Sequence, residues 1–375
     1  MARDARERLW EAYEKRESLY EEDGKSGRRL IGMMGCDVPE EILIAGGYLP
    51  VAVCAGTAET TPDADRYLEY AFDAQVRRMF DRLTDGKEKP YSHVVLSNST
   101  DVMVRIYFYL REVRRTEPER CVPELSFVDW LFTRRNLYQK YNIGMIEDFI
   151  REVNTWGGVP VTEESLRHAC EVCNEDRAAM RRLEKLRLEG KVSGSEALRV
   201  IGASMFMDRG EHAALCGEFV KEAESRTPQD GVRIFVTGSE QENPAFYDLV
   251  EQAGGRIVCE DHNFGARRYQ NDVDLSQGAA IGIVNRYMLR PFSAKKASVS
   301  ERVKTLRESV KECGAQCVIF YTNLYDEAAS WEIPEQRRML KQEGIPSLVL
   351  AKQSYPLRVT EELRETVKKF LEGVG

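Results

Sequence analysis

The sequence predicts an α/β protein with two small parallel sheets, each wrapped by helices and related to the other by internal duplication. Three observations carry this prediction. Strand, polar elbow, helix and strand follow one another over residues 29–54, and the same succession returns over residues 232–259. Each copy then adds a third strand that ends in a polar turn carrying an acid, Asp101 in the first and Asp326 in the second. The chain has 375 residues, which exceeds one small core and suits two lobes of roughly 130–150 residues each.

Residues 5–22 are rich in Arg, Glu, Tyr and Leu and read as an amphipathic helix before Gly24, so residues 1–28 form a helical arm. The first strand is residues 29–34 (RLIGMM), with Gly35, Cys36 and Asp37 as its polar exit. A helix then starts at Asp37 or Val38, with Pro39 in its first turn and Glu40 and Glu41 beside the positive end of its dipole. Gly46 and Gly47 stop it before the strand at 49–54. Further strands fall at 93–97 and 125–128. In the second half, strands fall at 232–237, 256–259, 317–322 and 347–350, and Pro244 opens a helix that ends at Gly254 and Gly255. Residues 162–225 contain no strand-like run and read as helical, with Thr162 as a cap. The tail at 360–371 places Leu363, Val367, Phe370 and Leu371 on one helix face. The resulting boundaries are a first lobe at 29–155, a mainly helical segment at 156–230 and a second lobe at 231–375.

Composition narrows the function. Lys and Arg total 54 against 62 Asp and Glu, a formal charge of −8, which argues against a nucleic-acid binder. No apolar run reaches the roughly 18–20 residues that a membrane span needs. The charged N-terminus carries no signal-peptide pattern, so a cytoplasmic location is expected. The nine cysteines are odd in number and scattered, which reads as reduced thiols. Cys170 and Cys173 form the one CxxC, on a helix, where small apolar packing residues are expected rather than half of a zinc site. There is no GxxxxGK(S/T) loop, no GxGxxG after a strand, no GxSxG and no HExxH. Of the four histidines, His93, His168 and His212 read as structural, and His262 lies in a strand-exit loop.

In open parallel sheets the ligand lies beyond the C-terminal ends of the strands, so a cleft between the lobes is the expected site. The elbows at 35–37, 97–101, 238–242, 261–267 and 322–326 should face it. Among the arginine pairs at 77–78, 134–135 and 267–268, the last is the best placed to hold an anion, because it follows an elbow and Gly265.

The stretch at 36–51 (CDVPEEILIAGGYLPV) resembles the opening signature of the 2-hydroxyacyl-CoA dehydratase and benzoyl-CoA reductase family, V-P-E-E-(I/L)-(I/L)-x-A-(A/G)-G-x-x-P-V. The likeness continues through Gly238 and Ser239, from Glu260 to Tyr269, and from Tyr325 to the Glu343-Gly-Ile-Pro turn, in order along nearly the whole chain. The resemblance implies two flavodoxin-like lobes, pairing with a related subunit as a heterodimer, and acyl-CoA chemistry near a [4Fe-4S] cluster. In such dehydratases an ATP-dependent activator supplies an electron, and the substrate leaves as an enoyl-CoA. The family's cluster cysteines, however, fall at positions that here read Asp73, Thr100 and Tyr325. Oxygen donors hold such clusters poorly compared with thiolates. No cofactor and no metal ligand are therefore expected in this chain, and the cluster is expected in a cysteine-bearing partner.

The candidate substrate-binding residues are Cys36, Glu40, Asp101, Asn263, Arg267 and Asp326, and no residue is assigned a catalytic role. Cys36 and the backbone donors at the Pro39 helix start could hold an anion or a thioester oxygen. Asp101 and Asp326 read either as acceptors behind the ligand or as helix caps. Glu40 and Glu41 read as dipole partners before catalysts, and Tyr325 as a ring filling the vacated cluster volume. Three functions stay open: a degenerate dehydratase subunit, a non-catalytic acyl-CoA or anion-binding protein, and a subunit of a benzoyl-CoA reductase-like enzyme.

Overall fold

The computed structural model describes residues 4–16, 29–290 and 296–374. Two four-stranded, wholly parallel sheets form the framework. The first contains β1 (Leu30–Met34), β2 (Leu49–Ala52), β3 (Tyr91–Ser97) and β4 (Glu124–Val128), in the order β2-β1-β3-β4. The second contains β5 (Val232–Gly238), β6 (Gly255–Glu260), β7 (Cys317–Asn323) and β8 (Ser347–Gln353), in the order β6-β5-β7-β8. The two orders are the same, as the duplicated pattern requires. Strands β1 and β7 are buried along their whole length, which is why they read as unbroken apolar runs without alternation.

The helices form because their caps and apolar stripes agree. Helix α1 (Ala5–Glu14) starts where the Asp4 side chain accepts from Glu7 N, and it buries Leu9, Ala12 and Tyr13. The remainder of the helix expected to reach residue 22 lies outside the described residues. Crossovers in the first lobe use α2 (Glu40–Ala45), α3 (Pro62–Tyr67), α4 (Ala74–Thr84) and α5 (Asp101–Thr116), followed after β4 by α6 (Asn136–Val153). The middle segment holds α7 (Glu163–Glu189), α8 (Gly194–Ala203) and α9 (Arg209–Ala223). A capping box between Thr162 and Ser165 opens α7, and Gly190, at φ +85°, closes it. The second lobe adds α10 (Ala245–Gln252), α11 (Ala279–Leu289), α12 (Val299–Cys313), α13 (Glu327–Gln342) and α14 (Glu361–Glu372). In α14, Leu363, Val367 and Leu371 are buried as the tail pattern predicts, and Phe370 is half-buried.

One apolar cluster runs from Phe80 and Leu96 of the first lobe through Leu183 and Ile201 to Ile234 and Tyr247 of the second. Helix α7 also carries polar ties to both lobes. Arg177 donates to Glu41, while Arg187 pairs with Glu260 and donates through Nε to Ile257 O at 2.7 Å. Cys170 and Cys173 are buried on this helix, where burial pushes both thiols well up, and Cys170 packs into the apolar cluster that includes Ile31 and Val95. His93 stacks on Trp156 at 4.1 Å, His168 is exposed, and buried His212 bonds Asp176 and, at 2.8 Å, Val200 O.

Glu242, in the exit of β5, closes the seam from the second lobe. Its carboxylate accepts from Ala55 N at 3.1 Å and from Tyr355 Oη. Burial outweighs these bonds and raises its pKa above the ordinary 4.5. A carboxyl raised in the folded state supports the fold below its unfolded value and loses that support as pH rises through its folded value. Relative to Glu242→Gln, the native chain should therefore lose stability as pH rises from about 4.5 toward neutrality. Urea unfolding of both chains across this range tests it, and a difference that does not vary with pH would refute the assignment.

Candidate functional site

The first elbow depends on one glycine. Gly35 has φ +91°, and a Cβ there would stand 2.4 Å from Ser99 Oγ and 2.7 Å from Ser97 Oγ, so only glycine lets β1 turn against the end of β3. Cys36 and Asp37 follow. Asp37 is almost wholly buried, paired with Arg290 and Lys296, and its carbonyl accepts from Trp130 Nε1 at 2.6 Å. Cys36 Sγ lies 3.4 Å from Asp37 Oδ2, and Arg290 Nη2 donates to Cys36 O at 3.0 Å. Burial alone would raise the Cys36 thiol, but Lys296, Arg290 and Arg267 hold it below the ordinary 9.0. Alkylation of Cys36 by iodoacetamide should thus follow a pH midpoint below 9.0, and Lys296→Met should move that midpoint up. Peptide-resolved mass spectrometry reads both shifts, and a native midpoint at or above 9.0 would be incompatible with this cationic nest.

The next turn departs from expectation. Helix α2 is only six residues long, and Glu40 and Glu41 are not simple dipole partners. Glu40 accepts from Arg209 Nε at 3.0 Å, from Arg209 Nη2 at 2.8 Å and from Arg268 Nη2 at 3.0 Å. Glu41 accepts from Arg177 and from Tyr287 Oη at 3.0 Å. Burial opposes ionisation of both carboxyls, and the arginines prevail, holding Glu40 well below 4.5 and Glu41 below it. Carboxylate oxygens of Glu40 and Glu41 and Cys173 Sγ lie within 4.8 Å of one another, but the arginines already occupy the carboxylates, which makes this a hub of ion pairs. Glu40, one of the substrate-binding candidates, is 4 % exposed and its carboxylate is turned into this hub.

Whereas Asp261 and Arg267 of the 261–267 elbow line a separate cavity, the elbows at 97–101, 238–242 and 322–326 converge on one of about 310 Å³. Asp73, Thr100 and Tyr325, drawn from three separate crossovers, all line it, as do Asp101, Asp326 and Glu240. Local chemistry explains each position. The Asp73 carboxylate caps α4, accepting from Gln75 N at 2.9 Å and Val76 N at 3.1 Å. Thr100 caps α5 by accepting from Met103 N at 3.1 Å, so that cap is Thr100 and not Asp101, which is the exposed first residue of the helix. Asp326 makes no side-chain cap on α13; it accepts instead from Ser239 Oγ at 2.7 Å, joining the 238–242 and 322–326 elbows of the second lobe. Tyr325 sits at φ +67° with its ring edge-on to Tyr70, 5.8 Å between centroids. The ring forms part of the wall and does not fill the space expected of it, because the cavity persists beside it. No cysteine is among the lining residues described.

A polar chain ties the cavity to Cys36. Glu240, on the cavity wall, accepts from Asn263 Nδ2, whose Oδ1 accepts from Arg267 Nε at 2.8 Å. Arg267 bonds the Cys36 side chain, and burial followed by repulsion from Arg290 brings its pKa down to about 10. His262 is buried behind this chain, with Nε2 2.8 Å from Tyr247 Oη. Glu240 lies within the 238–242 elbow with nothing in the sequence to distinguish it from its neighbours, and Lys296, Arg290 and Trp331 fall outside every elbow. Lys296 and Arg290 lie in no motif, and Trp331, 78 % exposed at the cavity edge, looks in sequence like any aromatic on an amphipathic helix.

Comparison with known proteins decides the family. The sequence model of 2-hydroxyglutaryl-CoA dehydratase, D-component, matches residues 36–374. The chain belongs to this family. The D-component match opens on Cys36 itself, at the elbow just described. The chain is 20 % identical over 355 residues to the (R)-phenyllactyl-CoA dehydratase beta subunit of Clostridium sporogenes, covering 93 % of this chain and 92 % of that one. It is 20 % identical over 354 residues to the lactoyl-CoA dehydratase subunit beta of Anaerotignum propionicum, with the same coverage. It is 21 % identical over 332 residues to the (R)-2-hydroxyglutaryl-CoA dehydratase subunit beta of Acidaminococcus fermentans, covering 85 % of this D-component chain and 86 % of the relative. Among the described residues no helix is long and apolar enough to cross a membrane.

Proposed function

We propose that this chain is one subunit of a 2-hydroxyacyl-CoA dehydratase-like enzyme. It contributes half of an acyl-CoA cleft beside a related, cysteine-bearing partner in a cytoplasmic heterodimer. Three similar proteins are beta subunits of dehydratases acting on phenyllactyl-CoA, lactoyl-CoA and 2-hydroxyglutaryl-CoA, which supports the substrate class. The observation that carries the reading is the sharing of one cavity by Asp73, Thr100 and Tyr325, the positions equated with the family's cluster cysteines.

That cavity does not suit an iron–sulfur cubane, because its walls offer carboxylate, hydroxyl and phenol oxygens where iron prefers thiolate. No step is therefore routed through a cluster in this chain, and the partner is the expected holder of the [4Fe-4S] centre, with an ATP-dependent activator feeding the assembly. The residues of this chain shape and charge the cleft. Arg267, linked through Asn263 to Glu240 on the cavity wall, and the cations around Cys36 would supply positive charge behind this wall of the cleft, Arg267 itself lining a separate cavity. Asp326 and Ser239 fix the opposite elbow.

Anaerobic production of the chain alone and with a cysteine-complete partner tests the proposal. Iron and acid-labile sulfide should follow the partner, and removing the partner's cysteines should abolish them. A stoichiometric cubane signal on the isolated chain would overturn the reading. The oxygen-lined cavity also favours a second reading, an acyl-CoA-binding protein without electron chemistry. Tight calorimetric binding of CoA thioesters by the chain alone, with no turnover in any assembly, would select it.

A further inference from the structure

Five carboxylates line the cavity of about 310 Å³: Asp73, Asp101, Glu240, Asp326 and Glu327. Arg105 is the one cation among the described lining residues, and it is engaged outside the wall. Its Nη2 donates to Glu69 Oε2 at 3.1 Å, and its guanidinium lies 4.4 Å from the centroid of the Phe72 ring. Arg290 and Lys296 pair with Asp37 and do not line this space.

Three of the carboxylates are fixed by the fold. Asp73 caps α4, Asp326 accepts from Ser239 Oγ, and Glu240 accepts from Asn263 Nδ2. Asp101 and Glu327 differ. Each is the exposed first residue of its helix, α5 in the first lobe and α13 in the second, and neither makes an ion pair among the described residues. An acid at a helix start ordinarily answers the positive end of the dipole. That end counts for only about half a charge, so the starts of α4, α5 and α13 together do not outweigh the five carboxylates.

Gln75 adds a second, independent feature. It lines the same cavity, is 5 % exposed, and its Nε2 is buried without a hydrogen-bond partner. A buried amide donor left open calls for an acceptor oxygen from a guest. The wall thus suits a guest with an uncharged polar oxygen and disfavours one with a carboxylate.

We propose that Asp101 and Glu327 are specificity-determining residues, and that the cavity admits the acyl portion of a CoA thioester only when that portion bears no negative charge. This rests on the acyl-CoA reading given above and deepens it by naming the class of acyl group. An acyl oxygen accepts from Gln75, while the carbon chain packs on Val76, Met79, Val102 and Met103. A distal carboxylate would instead lie among like charges, within the screening length of about 8 Å at physiological salt.

The test compares pentanoyl-CoA with glutaryl-CoA, which share one chain length and differ by a terminal carboxylate. Binding to the full chain, and to its heterodimer with the cysteine-bearing partner, is measured by calorimetry at low and physiological salt. Pentanoyl-CoA should bind at least about tenfold more tightly, and the gap should widen at low salt. In Glu327→Lys the ratio of the two dissociation constants should fall toward one, and Asp101→Asn combined with Glu327→Gln should move it the same way. Thermal unfolding checks that each variant is folded, and if one is not, the ratio and its salt dependence in the native chain still decide. Equal affinities, a preference for glutaryl-CoA, or a ratio that folded variants leave unmoved would overturn the proposal while leaving the acyl-CoA reading intact. Failure of both thioesters to bind, with or without the partner, would sink that reading and this inference with it.

Discussion

Glu40→Gln is expected to lower the unfolding free energy by about 3–5 kcal/mol, because it strips the shared anion from a buried group of arginines. Glu40 is 4 % exposed, and the guanidinium groups of Arg209 and Arg268 hydrogen-bond it while Arg177 lies 3.7 Å away. An amide of the same size leaves their charges facing one another without compensation. Urea unfolding at neutral pH reads the loss. Glu335→Gln, which touches only the exposed i,i+3 pair with Arg338, should change stability by less than about 0.5 kcal/mol. The folded carboxyl is held well below its ordinary 4.5, so its contribution is complete above that pH and disappears as pH falls through the folded value. The penalty of Glu40→Gln should shrink accordingly in acid. A loss under about 1 kcal/mol at neutral pH would mean that the arginines find water or other partners, and the hub would not be a principal tie between the lobes.

Gly238→Ala should have an effect of similar size for a steric reason. Gly238 has φ +125°, which an L side chain rarely adopts, and its Cβ would stand 2.0 Å from the carbonyl oxygen of Tyr321 on the paired strand. Backbone cannot yield as a flexible side-chain tip does, so β5 and β7 would have to separate. The expected cost is roughly 3–5 kcal/mol from strain and overlap together. The next residue, Ser239, bonds Asp326, so the cavity wall should be disturbed as well. Gly144→Ala is the control, since nothing lies within 4 Å of its Cβ position in the middle of α6. It should raise stability by about 0.5–1 kcal/mol. Thermal unfolding that ranked the two variants equally would refute the steric account.

The eight described strands were legible in the sequence because each is a short, largely apolar run closed by glycine or polar residues; burial on both faces produces such runs in β1 and β7, while β8, with one buried residue, was read only over its apolar 347–350. The grouping of Asp73, Thr100 and Tyr325 was legible through the family resemblance, since strand exits in a duplicated parallel fold meet at one edge. The roles of Glu40 and Glu41 were not legible. Two acids in the first turn of a helix look like dipole partners, and only the approach of Arg209 and Arg268, 169 and 228 positions away, makes Glu40 a hub. Lys296 was hidden for the same reason: its pairing with Asp37 spans most of the chain and obeys no periodicity. Tyr325 was expected to fill a space that its left-handed backbone and contact with Tyr70 leave open.

Helix α7 reaches both lobes through a buried arginine at either end of its second half, Arg177 on Glu41 of α2 and Arg187 on Glu260 of β6. Such a strut sets the spacing of the two halves. A jaw-like opening would have to pull one guanidinium away from its carboxylate inside a dry interior, a costly rupture. The exposed rings of Tyr70 and Trp331 carry no such tie, so the region around them can rearrange at far lower cost than the frame behind it.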